Sequence, residues 1–140
     1  MKHLSHKLII LLALAATGLA QPVFALTAAD TLRQLEQSAK QTDPNFKGVS
    51  VQRGERLFKA THGAEWSCAS CHTENPGASG KHAKTGKLIA PLAPAANAER
   101  FTRPDKVEKW FRRNCNDVLS RACTASEQGD VLAYLMTIKN

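Results

Sequence analysis

The segment Trp66-Ser67-Cys68-Ala69-Ser70-Cys71-His72 constrains the chain more than any other. Two cysteines separated by two residues, with a histidine directly after the second, form the pattern by which a c-type haem is attached. Each residue answers a chemical need. The two thiols add across the two vinyl groups of the porphyrin, and two intervening residues let one turn of chain span that distance. The histidine then lies beneath the iron and offers an imidazole nitrogen as proximal ligand. Cys-x-x-Cys also serves as a dithiol redox site or as half of a zinc site. The dithiol reading asks for alternating strands and helices, which nothing in the sequence suggests. Zinc asks for a closed set of four ligands, and the remaining cysteines, Cys115 and Cys123, are not spaced as a second short pair. The expected cofactor is one covalent haem c on Cys68, Cys71 and His72.

The start of the chain supplies the context. Lys2 and Lys7 form a basic stretch, Leu8 to Ala20 is an apolar run short for a bilayer, and Val23-Phe24-Ala25 ends in a small residue. That is the layout of an export signal. Residues 1–25 are therefore expected to be a signal peptide cleaved after Ala25, with an uncleaved anchor as the alternative, and the protein to be periplasmic. The rest divides into an N-terminal helix or arm, 26–45, and a monohaem domain, 46–140. The formal net charge is +7, and the signal segment accounts for two of those charges. A modestly basic surface favours acidic partners. The basic residues are scattered and no nucleic-acid motif accompanies them, so no nucleic-acid role is expected. A chain of this size builds a marginal core from side chains alone, and a buried haem supplies the missing apolar surface.

Four helices are expected. Leu26 to Gln41 has Thr27 or Asp30 as cap and Leu32, Leu35 and Ala39 on one face. Ser50 to Thr61 has Ser50 as cap and carries Gly54 inside it, which makes sense if another helix crosses there. Arg100 to Arg113 offers Thr102 as cap, Pro104 in the first turn and Asp105 completing Thr-x-x-Asp. Thr124 to Lys139 opens on the capping box Thr124 to Glu127, and Val131, Leu132, Leu135 and Ile138 form its buried stripe. Between them, Thr73 to Gly86 reads as a polar loop without regular structure, and Ile89 to Pro94 as an apolar wall laid against the haem. The fold class is all-α.

The sixth ligand is less obvious. Met136 is the one methionine beyond the signal segment, but it lies near the end of the last helix, away from the distal face. His62 and His82 read as surface residues. Val107, Trp110, Phe111 and Asn114 share one face of the third helix. An unpaired amide there costs free energy to bury. Asn114 is either a ligand to the iron or an ordinary helix C-cap, and pattern alone favours neither. In an exported chain Cys115 and Cys123 should pair as a disulfide.

At these residues the chain resembles a family, the small monohaem class I cytochromes c typified by sphaeroides haem protein. The likeness runs through Trp66–His72, Gly80-Lys81-His82-Ala83-Lys84-Thr85-Gly86-Lys87, Pro91-Leu92-Ala93-Pro94 and Arg100-Phe101-Thr102. It continues from Val107 through Arg112-Arg113-Asn114-Cys115-Asn116-Asp117 to Leu119, and over Gly129–Leu135. The resemblance implies a class I cytochrome c fold, with Asn114 as distal ligand beside His72 and a Cys115–Cys123 bridge. It also implies a dihaem cytochrome c and a membrane cytochrome b as electron-chain neighbours. An amide oxygen is a hard, weak-field donor. Asn114 should therefore hold ferric iron and leave ferrous iron, opening a site for O2, CO or NO. Leu92, Trp110 and Phe111 are candidates for the apolar wall around it. The alternatives are a plain electron carrier, a haem enzyme acting on a small nitrogen or oxygen species, and a gas sensor.

Overall fold

The computed structural model describes residues 26–139. The expected signal peptide and its cleavage site lie outside them. The elements are α1 (Ala28–Thr42), α2 (Val51–Lys59), α3 (Cys68–His72), β1 (Gly80–Lys81), β2 (Leu88–Ile89), α4 (Pro104–Leu119) and α5 (Ala125–Leu135).

Local chemistry starts most of these helices. Thr27 and Asp30 cap α1 reciprocally, Ser50 accepts the Arg53 N–H at the head of α2, and Thr124 and Glu127 form a capping box on α5. Each side-chain oxygen satisfies a backbone donor that has no partner within its helix. The Glu127 carboxylate also receives Arg121 at 2.6 Å, and that bond holds its pKa below the ordinary carboxylate range.

α5 is the spine. Every residue from Gly129 to Leu135 is buried. α1 lies against one side of it and α2 against another. The α2 crossing depends on Gly54. A Cβ there would overlap the carbonyl group of Asp130 and stand 2.9 Å from Val131 N. The Asp130 side chain ties the same crossing. It accepts the Ser50 N–H at 2.6 Å and two bonds from Arg53, whose guanidinium also donates to Gly48 O at 2.8 Å. The core around this crossing is Phe58, Ala69, Val131, Tyr134 and Leu135.

Several expectations need correction. α4 begins at Pro104, not at Arg100, and its N-cap is Arg103, with no side-chain cap. Thr102 instead donates to Glu99 O, and Asp105 is taken by Arg103. Proline at the first helical position, where its missing N–H costs nothing, sets the start. α4 then runs past Arg113 to Leu119 and stops where Ser120 turns left-handed, at φ +56°. Asn114 therefore sits inside the helix, and the C-cap reading fails. Segment 73–86 is not wholly irregular, because Gly80 pairs with Ile89 and Lys81 with Leu88 in a short antiparallel ladder. α5 ends at Leu135, so Met136 and Ile138 lie beyond it. Met136 is exposed rather than a core side chain.

Candidate functional site

The haem motif occupies α3, a single helical turn. Two serines build its start. Ser67 Oγ accepts the Ser70 N–H at 3.2 Å and Ser70 Oγ accepts the Ser67 N–H at 3.0 Å. Thr73 ends it with φ +64°. That is a costly backbone for a β-branched residue, and it persists only where the surroundings impose it. Thr73 Oγ1 donates to Asn75 O at 2.6 Å, which holds the bend directly after His72. One turn thus presents Cys68, Cys71 and His72 together.

Their surroundings differ. Burial pushes the Cys68 thiol up to about 11. His72 lies with its ring centroid 6.5 Å from that of Phe58. Burial, with the Arg100 charge adding to it, pushes the imidazole down to about 4. His72 is therefore neutral at pH 7, the form that donates a lone pair to a metal. Cys68 and Cys71 are free thiols. Leu92, Phe101 and Phe111 pack on the same core cluster as Cys68. Two free thiols, a neutral imidazole and an apolar surround suit a haem attached at this turn. They suit zinc poorly, since Cys115 and Cys123 are joined to each other.

The β1–β2 hairpin rests directly on α3. A Cβ on Gly80 would overlap the Cys71 carbonyl oxygen and approach His72 Cα to 3.0 Å, so only glycine allows the fit. Ala83 N donates to Cys71 Sγ at 3.3 Å. His82 caps the hairpin loop, its Nδ1 accepting from Lys84 N and Thr85 N. His62 bonds Leu57 O through Nε2 at 3.0 Å on the exposed side of α2. Both rings are thus engaged by nearby backbone.

On α4, Val107, Phe111, Asn114, Cys115 and Val118 make the inward stripe, partly or fully buried. Trp110 was expected among them but is 46% exposed. At 3.6 residues per turn it falls roughly 80° from the centre of that stripe. Lys109 and Arg113 hold their cations 5.7 and 5.8 Å from its ring centre. Asn114 is half-buried, one turn beyond Phe111, and Phe111 stands 6.3 Å from Phe101, ring to ring. The next residue, Cys115, is joined to Cys123 with a Cα separation of 5.6 Å. This bridge ties α4 to the head of α5. Converting both cysteines to alanine is expected to cost roughly 2–3 kcal/mol, since it frees a short loop in the unfolded chain. Chemical denaturation of the haem-loaded protein measures it.

The sequence assigned no site role to Arg100 or Pro76. Arg100 is half-buried and donates to Pro91 O at 2.9 Å and Ala90 O at 2.7 Å, fastening the 90–94 segment beside His72. Pro76 is fully buried, and its carbonyl accepts both Leu92 N and Ala93 N at 2.9 Å. The Pro76 bonds span 16 and 17 residues and the Arg100 bonds nine and ten, beyond the reach of a cap or turn pattern.

Known proteins share this arrangement. The chain is 46% identical to cytochrome c'' of Methylophilus methylotrophus over 103 residues, which are 71% of this chain and 72% of that one. The chain belongs to this cytochrome c family. It is also 46% identical over 91 residues to the cytochrome c-type protein SHP of Cereibacter sphaeroides, spanning 62% of this chain and 70% of that one. Residues 44–135 match the family described as a domain of unknown function, DUF1924. Oxidised cytochrome c'' superposes with TM-score 0.70 at 40% identity, covering 81% of this chain and 95% of that one. Oxidised SHP, described as an oxygen-binding cytochrome c, superposes with TM-score 0.71 at 37% identity, covering 81% and 99%. The fold is thus the all-α cytochrome c fold of this family, and the cofactor is haem c.

Proposed function

We propose that this protein is an exported, periplasmic monohaem cytochrome c whose distal ligand, Asn114, gives way on reduction and opens a site for a diatomic gas. The observation that carries it is the single turn α3, which holds Cys68, Cys71 and a neutral His72 side by side beneath an apolar surround. Cys68 and Cys71 would form the two thioethers and His72 the proximal bond. When bound, the haem supplies a one-electron couple and an iron site for O2, NO or CO. Asn114 supports the distal role by its place on the inward stripe of α4, one turn from Phe111. Its amide oxygen is a hard donor, suited to ferric iron and poorly suited to ferrous. Once released, the side chain keeps two N–H donors to orient a gas molecule. Leu92 and Phe111 would form the apolar wall, with Trp110 at its rim. The relatives lend weight: SHP is described as oxygen-binding, and a solution structure of cytochrome c'' concerns haem-ligand detachment. Electrons would come from a dihaem cytochrome c and a membrane cytochrome b.

The test is an optical spectrum of the purified protein, oxidised, reduced and reduced under CO, followed by mass measurement after denaturation. One haem should remain on the polypeptide, with high-spin ferric bands and ready CO uptake. Low-spin bands in both states without CO uptake would leave a plain electron carrier.

A further inference from the structure

We infer that the 80–89 hairpin is the docking face through which this protein meets an acid-surfaced electron-transfer protein. The inference rests on the reading that Cys71 carries the haem.

Charge singles out this segment. Lys81, Lys84 and Lys87 are all exposed, and residues 75–98 contain no aspartate or glutamate. Elsewhere, six cations are held in ion pairs. Arg33, Arg53, Lys59, Arg103, Arg112 and Arg121 each have a carboxylate partner. No ion pair among the described residues involves the three hairpin lysines. Unpaired like charges in one place raise the local potential and steer an oppositely charged protein during its approach.

Position singles it out again. Ala83 donates to Cys71 Sγ, and Gly80 lies against the Cys71 carbonyl. Lys84 Nζ sits 4.5 Å from the centre of the Trp66 ring, two residues before Cys68. A partner seated on the hairpin is therefore separated from the haem-bearing turn by one layer of chain. Leu88 adds an apolar contact. It is 78% exposed and opposite Lys81 in the ladder. One bare leucine ringed by lysines suits a small, weak, quickly exchanging interface, as redox encounters are.

The rival cationic face is α4, with Lys106, Lys109, Arg112 and Arg113. It carries its own acids, Asp105 and Glu108, the latter 3.7 Å from Arg112. Its potential is partly cancelled.

The experiment uses isotope-labelled, haem-loaded ferric protein titrated with an acidic flavodoxin as probe, at low and at high salt. Backbone signals of residues 80–89 and Trp66 should move at low salt and return at high salt. Lys81→Glu with Lys87→Glu, which leaves the Lys84–Trp66 contact in place, should weaken binding roughly tenfold. Lys106→Glu with Lys109→Glu, an equal change in net charge, should weaken it less than about threefold. Shifts centred on α4, or equal losses from both double variants, would overturn the proposal. So would a hairpin that responds to phosphatidylglycerol vesicles and not to flavodoxin, which would make it a lipid-headgroup site. A chain that carries no haem fails on absorbance before any titration, and that failure belongs to the reading of Cys71.

Discussion

Asn114→Val is expected to keep its haem and lose its distal ligand. Valine matches the side chain in bulk and offers no lone pair. The ferric spectrum should shift to a five-coordinate or water-bound form. Affinity for an added ferric ligand such as azide should rise by on the order of tenfold to a hundredfold. An internal ligand competes with any external one, so apparent affinity falls by the fraction of protein in which the site is free. Removing the competitor returns that factor. The fold should survive, because Asn114 is only half-buried and its side chain makes no hydrogen bond that anchors α4 among the described residues. An unchanged ferric spectrum and unchanged azide affinity would remove Asn114 from the iron.

Gly54→Ala is expected to destabilise the protein strongly, although alanine is the better helix former. The propensity gain is about 1 kcal/mol. Against it stands a Cβ that overlaps the Asp130 carbonyl group, which is helix backbone and cannot rotate away. Overpacking typically costs about 1–3 kcal/mol, and a clash with fixed backbone falls at the upper end of that range. A net loss of about 2 kcal/mol should lower the melting temperature by on the order of 10 °C. Melting of the haem-loaded variant reads it. A variant as stable as the parent would mean that α2 and α5 are not held in contact at this crossing.

What was legible in the sequence follows the range of the interactions. Caps at Thr27, Ser50 and Thr124 were readable because a cap joins residues three apart. The haem motif was readable for the same reason, since its chemistry fits in one turn. The start of α4 was misplaced because Thr102-x-x-Asp105 imitates a capping box, while Pro104 and Arg103 redirect both side chains. The hairpin escaped because a two-residue strand is too short to show alternation. Trp110 was placed on the wrong face because an i, i+3 offset sits at the flank of a stripe that Phe111 and Val118 centre elsewhere. Arg100 and Pro76 matter through segments nine to seventeen residues away, further than any cap or turn pattern reaches. Asn114 was half legible. Its amide on an apolar face was a local anomaly, and only the continuation of α4 to Leu119 separates a mid-helix amide from a cap.

That continuation has a mechanical meaning. A ligand borne on a loop can drift from a metal by degrees, as the loop breathes. Position 114 is borne on a rod of 16 residues, pinned one residue later to the head of α5. Only two motions are open to it. Either the amide swings about its own side-chain bonds between staggered positions, or the rod tilts as one piece against the pin. The first proceeds in jumps about the Cα–Cβ bond, and the second moves residue 114 only together with the whole rod. On the ligation proposed above, release of Asn114 is set by one side chain or by the whole rod, and not by the breathing of a loop.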